Sequence, residues 1–261
     1  MVRPFRARGW EVFPAEPAVA DWVAHALPAA RAAVRDPAHL HWLDCEGTWF
    51  IGVDALPNDA AGRVGGSGPL GGAAFDFLRA QYGPVALHPG QVSVVYPGYP
   101  LPRRGEGEAA ARYRARRDGA HVDGLKPTGP DRRRHVDEPH AWILGLPLTE
   151  ASADAAPLVV WDGSHRIMQA AFRRALAGVA RADWAGVDIT QAYQAARREV
   201  FETCPRIEIP ARPGEAIALH RHCLHGVAPW RDGATAGPDG RMIAYFRPEL
   251  PGGVADWIET P

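Results

Sequence analysis

The sequence has almost no lysine, no excess of either charge and no long apolar run. Lys126 is the only lysine, and 29 basic residues are balanced by 30 acidic ones, for a formal charge of −1. Binding to a phosphate backbone requires an excess of positive charge, so we expect no nucleic-acid partner. No stretch approaches the roughly 18 apolar residues of a membrane span, and the start, MVRPFRARGWEVFPAEP, lacks the apolar segment of a signal peptide. We therefore expect no membrane association.

Cysteine is also scarce. Cys45, Cys204 and Cys223 are an odd number of cysteines without CxxC spacing. This pattern predicts neither a disulfide framework nor a zinc site made of thiolates. A reducing compartment fits such a chain, and we expect a cytoplasmic protein.

The 261 residues suit a single domain with two parts of different character. Residues 1–90 mix helices and loops: residues 20–34 and 73–82 have helical spacing of apolar side chains, with Pro28 as a kink or break in the first. The stretch GTWFIGVDAL between them has the composition of a strand, and the glycine-rich segment 62–72 is predicted to be a flexible cover.

Residues 91–250 are dominated by short strands. They read QVSVVY, AWILGLPL, PLVVW, RIEIP, EAIAL and RMIAYF, and Pro, Gly and Asp turns separate them. Many short strands with such punctuation predict a sandwich or a jelly roll. Helical patterns at 168–180 and 191–201 interrupt the strands, and we expect them to pack outside the sheet.

The tripeptide His-Val-Asp occurs twice, at residues 121–123 and 135–137. Side chains at i and i+2 of an extended segment point the same way, so either copy could grip one side of a metal ion. Two histidines and one carboxylate form the facial triad of non-haem iron oxygenases. We choose His225 as the third ligand, because it ends a strand just before Gly226, where backbone can approach closely. His220 and His222 are interpreted as surface or hydrogen-bonded structural histidines.

Four segments together resemble the phytanoyl-CoA dioxygenase-like family of Fe(II)/2-oxoglutarate oxygenases. In chain order they are His121-Val-Asp123, AWILGLPLTEASADAAPLVVWDGSH, ALHRHCLHG and RMIAYF, within about residues 91–246. The resemblance implies a mainly β protein with flanking helices, whose core is a double-stranded β-helix, a cupin-like jelly roll. It also implies a metal ion at one mouth of the barrel.

The resemblance favours the first His-Val-Asp copy. The family leaves a loop between this motif and the strand that begins here near Trp142, and the gaps are 142 − 121 = 21 and 142 − 135 = 7 residues. The longer gap fits, which implies His121, Asp123 and His225 as metal ligands. His135 and Asp137 are then loop residues. Ser164, in Asp-Gly-Ser-His, is interpreted as the cap of the helix that follows it.

The same resemblance implies a site for 2-oxoglutarate. Its free carboxylate is received by an arginine after the distal histidine, and Arg241 lies 241 − 225 = 16 residues past His225. Arg231 and Arg247 are the competing candidates. Trp142 matches a tryptophan that borders the cosubstrate, with a plain core role as the alternative. Val227 stands where the family commonly has serine.

The sequence therefore predicts an Fe(II)- and 2-oxoglutarate-dependent dioxygenase that uses O2 to hydroxylate an unidentified small molecule. Asp123 favours hydroxylation, because related halogenases lack this carboxylate. The alternatives are a zinc-dependent hydrolase or lyase on the same ligands, and a jelly-roll binding protein without catalysis. Lys126 and the run Arg132, Arg133 and Arg134 either attract an anionic substrate or form a solvated charged surface.

Overall fold

The computed structural model describes residues 4–261. Its strands are β1 (Trp10–Phe13), β2 (Leu43–Asp44), β3 (Trp49–Phe50), β4 (Gln91–Val95), β5 (Pro127–Thr128), β6 (Arg133–Arg134), β7 (Trp142–Pro147), β8 (Leu158–Trp161), β9 (Arg206–Ile209), β10 (Ala216–His220), β11 (His225–Val227) and β12 (Arg241–Phe246). Its α-helices are α1 (Pro4–Arg8), α2 (Pro17–Arg35), α3 (Ala73–Tyr82), α4 (Glu108–Arg116), α5 (Ser164–Leu176), α6 (Thr190–Thr203) and α7 (Gly253–Glu259). Within residues 4–261, no helix is both long and apolar enough to cross a membrane.

Two antiparallel sheets form the core. The large sheet has seven strands in the order β1-β10-β7-β12-β4-β3-β2, the small sheet has the order β11-β8-β9, and β5 and β6 form a separate hairpin. Side chains of the small sheet, such as Leu158, pack with Ile143 and Ile217 of the large sheet. The predicted jelly-roll core with flanking helices is confirmed, and all six segments predicted as strands between residues 91 and 246 contain one.

The central strand β7 is buried on both faces. Ile143 faces the small sheet, whereas Trp142, Leu144 and Leu146 belong to the cluster that includes the helices. Each face therefore meets an apolar layer, which explains why this segment reads as a nearly continuous hydrophobic run rather than an alternating one.

The amino-terminal part departs from the sequence prediction in two places. Helix α2 continues through Pro28 as one element, because its buried face, which includes Ala26 and Ala30, packs on the core. Tertiary packing here offsets the missing backbone hydrogen bond, which costs about 3 kcal/mol. Of GTWFIGVDAL, only β3 is a strand: Gly52 and Asp54 have positive φ angles of 54° and 56°, which end the extended run.

His220 and His222 are buried, so a surface position is wrong for both. They are 4% and 0% exposed. The ring of His220 accepts a hydrogen bond from the backbone of His222 (3.1 Å). The ring of His222 packs against Trp257, with 4.2 Å between centroids, and neither of its nitrogens has a hydrogen-bond partner within residues 4–261. These histidines are core residues.

Burial of these histidines makes stability depend on pH. Burial lowers the pKa of His165 to about 4 and holds those of His220 and His222 well below their usual range. The unfolded chain binds these protons near pH 6.5 and the folded chain does not. The free energy of unfolding should therefore fall as the pH drops from about 6.5 towards 4, by about 1.4 kcal/mol per pH unit for each histidine.

Urea unfolding at several pH values checks this, with His222→Phe as the test variant. This substitution should make the slope of the unfolding free energy against pH smaller, by the amount that the uptake of one proton on unfolding contributes. The exposed His41, replaced by Phe, is the matched control and should leave the slope unchanged. An unchanged slope in His222→Phe would show that His222 does not resist protonation.

Candidate metal centre

Three side chains meet at the open end of the small sheet. One ligand atom from each of His121, Asp123 and His225 lies within 4.8 Å of the other two. His121 and His225 form an antiparallel bridge, with backbone N to O distances of 2.8 and 3.0 Å. The first His-Val-Asp copy thus extends the small sheet beside β11, and the two imidazole centroids lie 4.6 Å apart.

Backbone carbonyls orient both imidazoles. The Nδ1 atom of His121 lies 3.0 Å from the oxygen of Gly119, and Nδ1 of His225 lies 2.9 Å from the oxygen of Cys223. A ring nitrogen facing a carbonyl must carry the hydrogen, so in each neutral ring Nε2 keeps a free lone pair. These Nε2 atoms lie 3.1 and 3.7 Å from Oδ1 of Asp123. Three donor atoms therefore converge on one position.

Asp123 is held from its other side by Arg247. Nη1 of Arg247 lies 3.3 Å from Oδ2 of Asp123, and both side chains are 11% exposed. Burial alone would raise the pKa of Asp123, but the charge of the Arg247 guanidinium holds it well below its usual range. The carboxylate is therefore ionised, with Oδ1 facing the imidazoles.

His225 is neutral and firmly placed. Burial lowers its pKa to about 4, although Asp123 opposes this. Ser164 fixes the preceding residue, because its hydroxyl accepts a hydrogen bond from the backbone of Leu224 (2.9 Å). The prediction that Ser164 caps α5 is wrong. The N-cap residue is Gly163, whose φ is 79°, and no side chain forms a capping hydrogen bond. The buried hydroxyl instead supports the strand that carries His225.

Gly226 permits the close approach on which this bridge depends. A Cβ atom at this position would lie 2.1 Å from the carbonyl oxygen of Asp118 and 3.2 Å from the Cα atom of Ala120. Real Cβ atoms do not come so near, so any larger residue would push the segment that leads into His121 away from β11.

The triad opens into a cavity of ≈ 160 Å³. Apolar groups form most of its lining surface, and Gln91, Ser93, Tyr245 and Arg247 are among the residues that bring polar groups beside the triad. Val227 is part of this lining, so the position of the family serine presents methyl groups to the cavity.

Arg241 is not part of the wall of this cavity. It is 8% exposed and lines a separate cavity of ≈ 350 Å³ together with Glu215. Tyr245, on the same face of β12, lines the triad cavity. Burial raises the pKa of Tyr245, while the nearby charge of Arg241 acts in the opposite direction. Arg241 thus lies close to a tyrosine of the triad cavity without lining that cavity itself.

The structure does not bring Trp142 to the cavity. Its ring is fully buried and meets Phe75 edge to face, with 6.1 Å between centroids. Alternation along β7 points its neighbour Ile143 towards the triad instead. Trp142 therefore packs in the core between β7 and α3.

The second His-Val-Asp copy lies apart from the triad. Asp137 is 3.4 Å from Lys126, which also contacts Glu138. Arg133 is 3.7 Å from Asp188, and Arg134 stacks over the ring of Tyr193. These charged groups have partners within the chain, in keeping with a solvated, paired surface.

The contact between Arg247 and Asp123 had no signal in the sequence. Arg247 was only one of three candidates for a carboxylate ligand, and arginine is abundant throughout the chain. The sequence also did not indicate the role of Ser164, because its hydroxyl contacts Leu224, which lies 60 residues later in the chain, just before β11.

Comparisons with known proteins find similar folds only among solved structures. No protein-family profile matches the sequence, and no curated protein matches it. EctD from S. alaskensis, solved with 2-oxoglutarate and 5-hydroxyectoine, is 19% identical over 94% of this chain and 73% of its own, with a TM-score of 0.48. The α-ketoglutarate-dependent carbocyclase SnoK is 15% identical over 98% and 87%, with a TM-score of 0.45. AviO1 from Streptomyces viridochromogenes is 15% identical over 96% and 93%, also at 0.45. At these scores the likeness is not evidence of function.

Replacement of Gly226 by alanine should disrupt both the fold and the triad. We expect a loss of about 3 kcal/mol in the free energy of unfolding, because the added methyl meets backbone that cannot yield. Gly237→Ala is the matched control, since a Cβ there would meet nothing within 4 Å. Urea unfolding of both variants checks this, and equal stability would show that the approach is not tight.

Proposed function

We propose that this protein is an Fe(II)- and 2-oxoglutarate-dependent oxygenase that hydroxylates a small molecule. The observation that carries the proposal is the convergence of the Nε2 atoms of His121 and His225 on one oxygen of Asp123. Two imidazoles and one carboxylate are the donor set of the facial triad, which leaves positions open for a chelating cosubstrate and for O2. Within residues 4–261 the group has no fourth His, Cys, Asp or Glu ligand.

The interior of the barrel supports iron over zinc. A zinc hydrolase can also use three protein ligands, so the donor set alone does not separate the two. A hydrolase has no need of a buried guanidinium behind the metal, whereas 2-oxoglutarate carries a second carboxylate that requires one. We propose Arg241 for this role, because it is buried and lies on the same face of β12 as Tyr245, which lines the triad cavity.

Each group of the chain then has a separate task. The triad holds the metal, and Arg247 keeps Asp123 ionised and oriented. Arg241 and the hydroxyl of Tyr245 receive the distal carboxylate of 2-oxoglutarate. Bound iron would supply activation of dioxygen coupled to decarboxylation of 2-oxoglutarate to succinate. The protein's contribution is orientation and exclusion of water.

The whole chain is proposed to act as one oxygenase domain of the phytanoyl-CoA dioxygenase-like family, located in the cytoplasm. The sequence motifs support the family. The helical part and the jelly-roll core of the chain are not separate units, because β1, β2 and β3 from the first 90 residues belong to the large sheet. Trp49 and Ile51 from this part also line the triad cavity.

The first His-Val-Asp copy should bind the metal and the second should not. His121→Ala should abolish binding of one Co(II) ion, a spectroscopic substitute for Fe(II), because only two donor atoms remain. His135→Ala is the matched control from the second copy and should bind with wild-type affinity. Titration followed by visible absorption checks both, and loss of binding in His135→Ala alone would move the site.

Arg241 should determine the affinity for 2-oxoglutarate. We expect Arg241→Met to raise its KM by about a hundredfold, since truncation of a buried charged partner costs several kcal/mol. Arg231→Met is the control: this candidate is 46% exposed and bound to Asp154 and Glu208 at the surface. Succinate release at varied 2-oxoglutarate measures both. A larger effect in Arg231→Met would reassign the carboxylate site.

A further inference from the structure

A cavity of ≈ 250 Å³ lies where α1, α3 and α5 cover the large sheet. Its wall includes Phe5 of α1 and His220, the last residue of β10. Leu219 packs between the two sheets, so the side chain of His220 points to the other face of its sheet, towards Phe5. Among residues 4–261, no residue lines both this space and the triad cavity. The space is called the helix-side cavity below.

His220 presents an N–H group to the helix-side cavity. Its side chain is more than nine-tenths buried. Nδ1 of its ring accepts a hydrogen bond from the backbone of His222 (3.1 Å), so in the neutral ring the hydrogen is on Nε2. In the described part of the chain Nε2 has no hydrogen-bond partner, and it is not sealed off as both ring nitrogens of His222 are. Nε2 is therefore a donor that a molecule in the cavity can reach.

Tyr82 supplies a second donor to the same wall. Burial raises the pKa of its phenol to about 12, against the opposing charges of Arg221 and Arg6, so the hydroxyl keeps its proton. Arg6 and Arg166 line the cavity on the side of the solvent. From Pro4 onwards, no Asp or Glu side chain belongs to the lining. The polar part of this wall thus consists of donors and positive charges, which is the chemistry that receives an oxyanion.

Arg221 adds a buried positive charge behind this wall. It is 1% exposed, and its guanidinium lies over the ring of Tyr82, 5.6 Å from the centroid. Its hydrogen bonds go to neutral backbone carbonyls, those of Trp257 (2.8 Å), Ala141 (3.4 Å) and Thr260. Burial lowers the pKa of Arg221 to about 10, and the carboxylate of Asp256 opposes this only weakly. A buried cation without a paired anion is costly, so an anion in the helix-side cavity would be favoured.

The rest of the wall suits an apolar molecule. Apolar groups form most of the lining surface, among them the ring of Phe5. A cavity of about 150 Å³ is sufficient for benzene, so a space of ≈ 250 Å³ has room for one ring with a carboxylate attached. A strongly hydrated inorganic ion would leave the apolar wall without contacts, whereas an organic anion buries both of its parts.

We propose that the helix-side cavity is a second binding site, for a small organic carboxylate with an apolar body. The carboxylate accepts hydrogen bonds from Nε2 of His220 and from the hydroxyl of Tyr82, and its apolar part packs against Phe5. The charges of Arg6 and Arg166 attract it from the solvent. This site does not depend on the proposed oxygenase function, because the large sheet separates it from the triad.

The test uses three probes with the same ring and different charge: benzoate, benzylammonium and benzyl alcohol. Their binding to the full, metal-free chain is measured by saturation-transfer NMR and titration calorimetry. We expect benzoate to bind best, and its affinity to fall with added salt. Saturating Zn(II) and 2-oxoglutarate, which would fill the triad cavity, should not displace it.

Two variants locate the bound benzoate. Tyr82→Phe removes a buried donor to a charged group and should weaken benzoate about tenfold. Arg166→Gln removes an exposed charge and should weaken it about threefold. The matched controls are Tyr113→Phe on α4 and Arg198→Gln on α6, which change exposed residues outside the lining and should bind benzoate as the wild type does.

Preference for benzylammonium or benzyl alcohol, equal binding of all three probes or no binding of any would overturn this site. So would displacement of benzoate by Zn(II) and 2-oxoglutarate, or an equal loss of affinity in the control variants. The proposed function is tested separately, by succinate release from 2-oxoglutarate. Succinate release without selection for benzoate would sink this inference alone, whereas selection for benzoate without succinate release would sink the oxygenase and keep the helix-side site.

Discussion

The site depends on the bridge between His121 and His225. Reciprocal backbone hydrogen bonds place two residues 104 positions apart side by side, with their imidazoles on one face. The bridge requires Gly226, because the carbonyl of Asp118 occupies the space of a side chain there. Asp123, two residues after His121, then points the same way. One backbone pairing thus assembles all three donors without any long flexible side chain.

Electrostatics prepare these donors for a cation. Burial keeps His225 neutral, and Arg247 keeps Asp123 ionised despite its burial. These two protonation states place opposite demands on the site, because burial favours a neutral histidine but disfavours an ionised carboxylate. The structure resolves the conflict by giving the carboxylate an arginine and the histidines backbone carbonyls. Asp123 and His225 are therefore in the protonation states that a metal ligand needs, and the carbonyl of Gly119 orients the ring of His121.

The strands and the three triad residues were accessible from the sequence, because both depend on local pattern. β12 was predicted from RMIAYF, and Gly226 was correctly associated with a close backbone approach. Contacts between distant segments were not accessible. The face on which Trp142 lies depends on the register of β7, and a shift of one residue reverses it. The helix does not break at Pro28, one of the two predicted effects of this residue, because packing outweighs local preference in a buried helix.

The contacts of the polar groups that support the triad could not be predicted from the sequence for a related reason. Arg247 is one of many arginines, and only its place at the end of β12 brings it to Asp123. Ser164 precedes a helix, which locally suggests a cap, yet its hydroxyl is directed at Leu224. Sequence patterns indicate periodicity and turns, whereas Ser164 and Arg247 form hydrogen bonds with residues of distant segments.

The most direct test is an anaerobic titration of metal-free protein with Fe(II), followed by addition of 2-oxoglutarate. The account predicts one iron per chain and then a weak visible absorption band from the iron and 2-oxoglutarate chelate. Iron that binds at the triad without producing this band on addition of 2-oxoglutarate would contradict the oxygenase assignment.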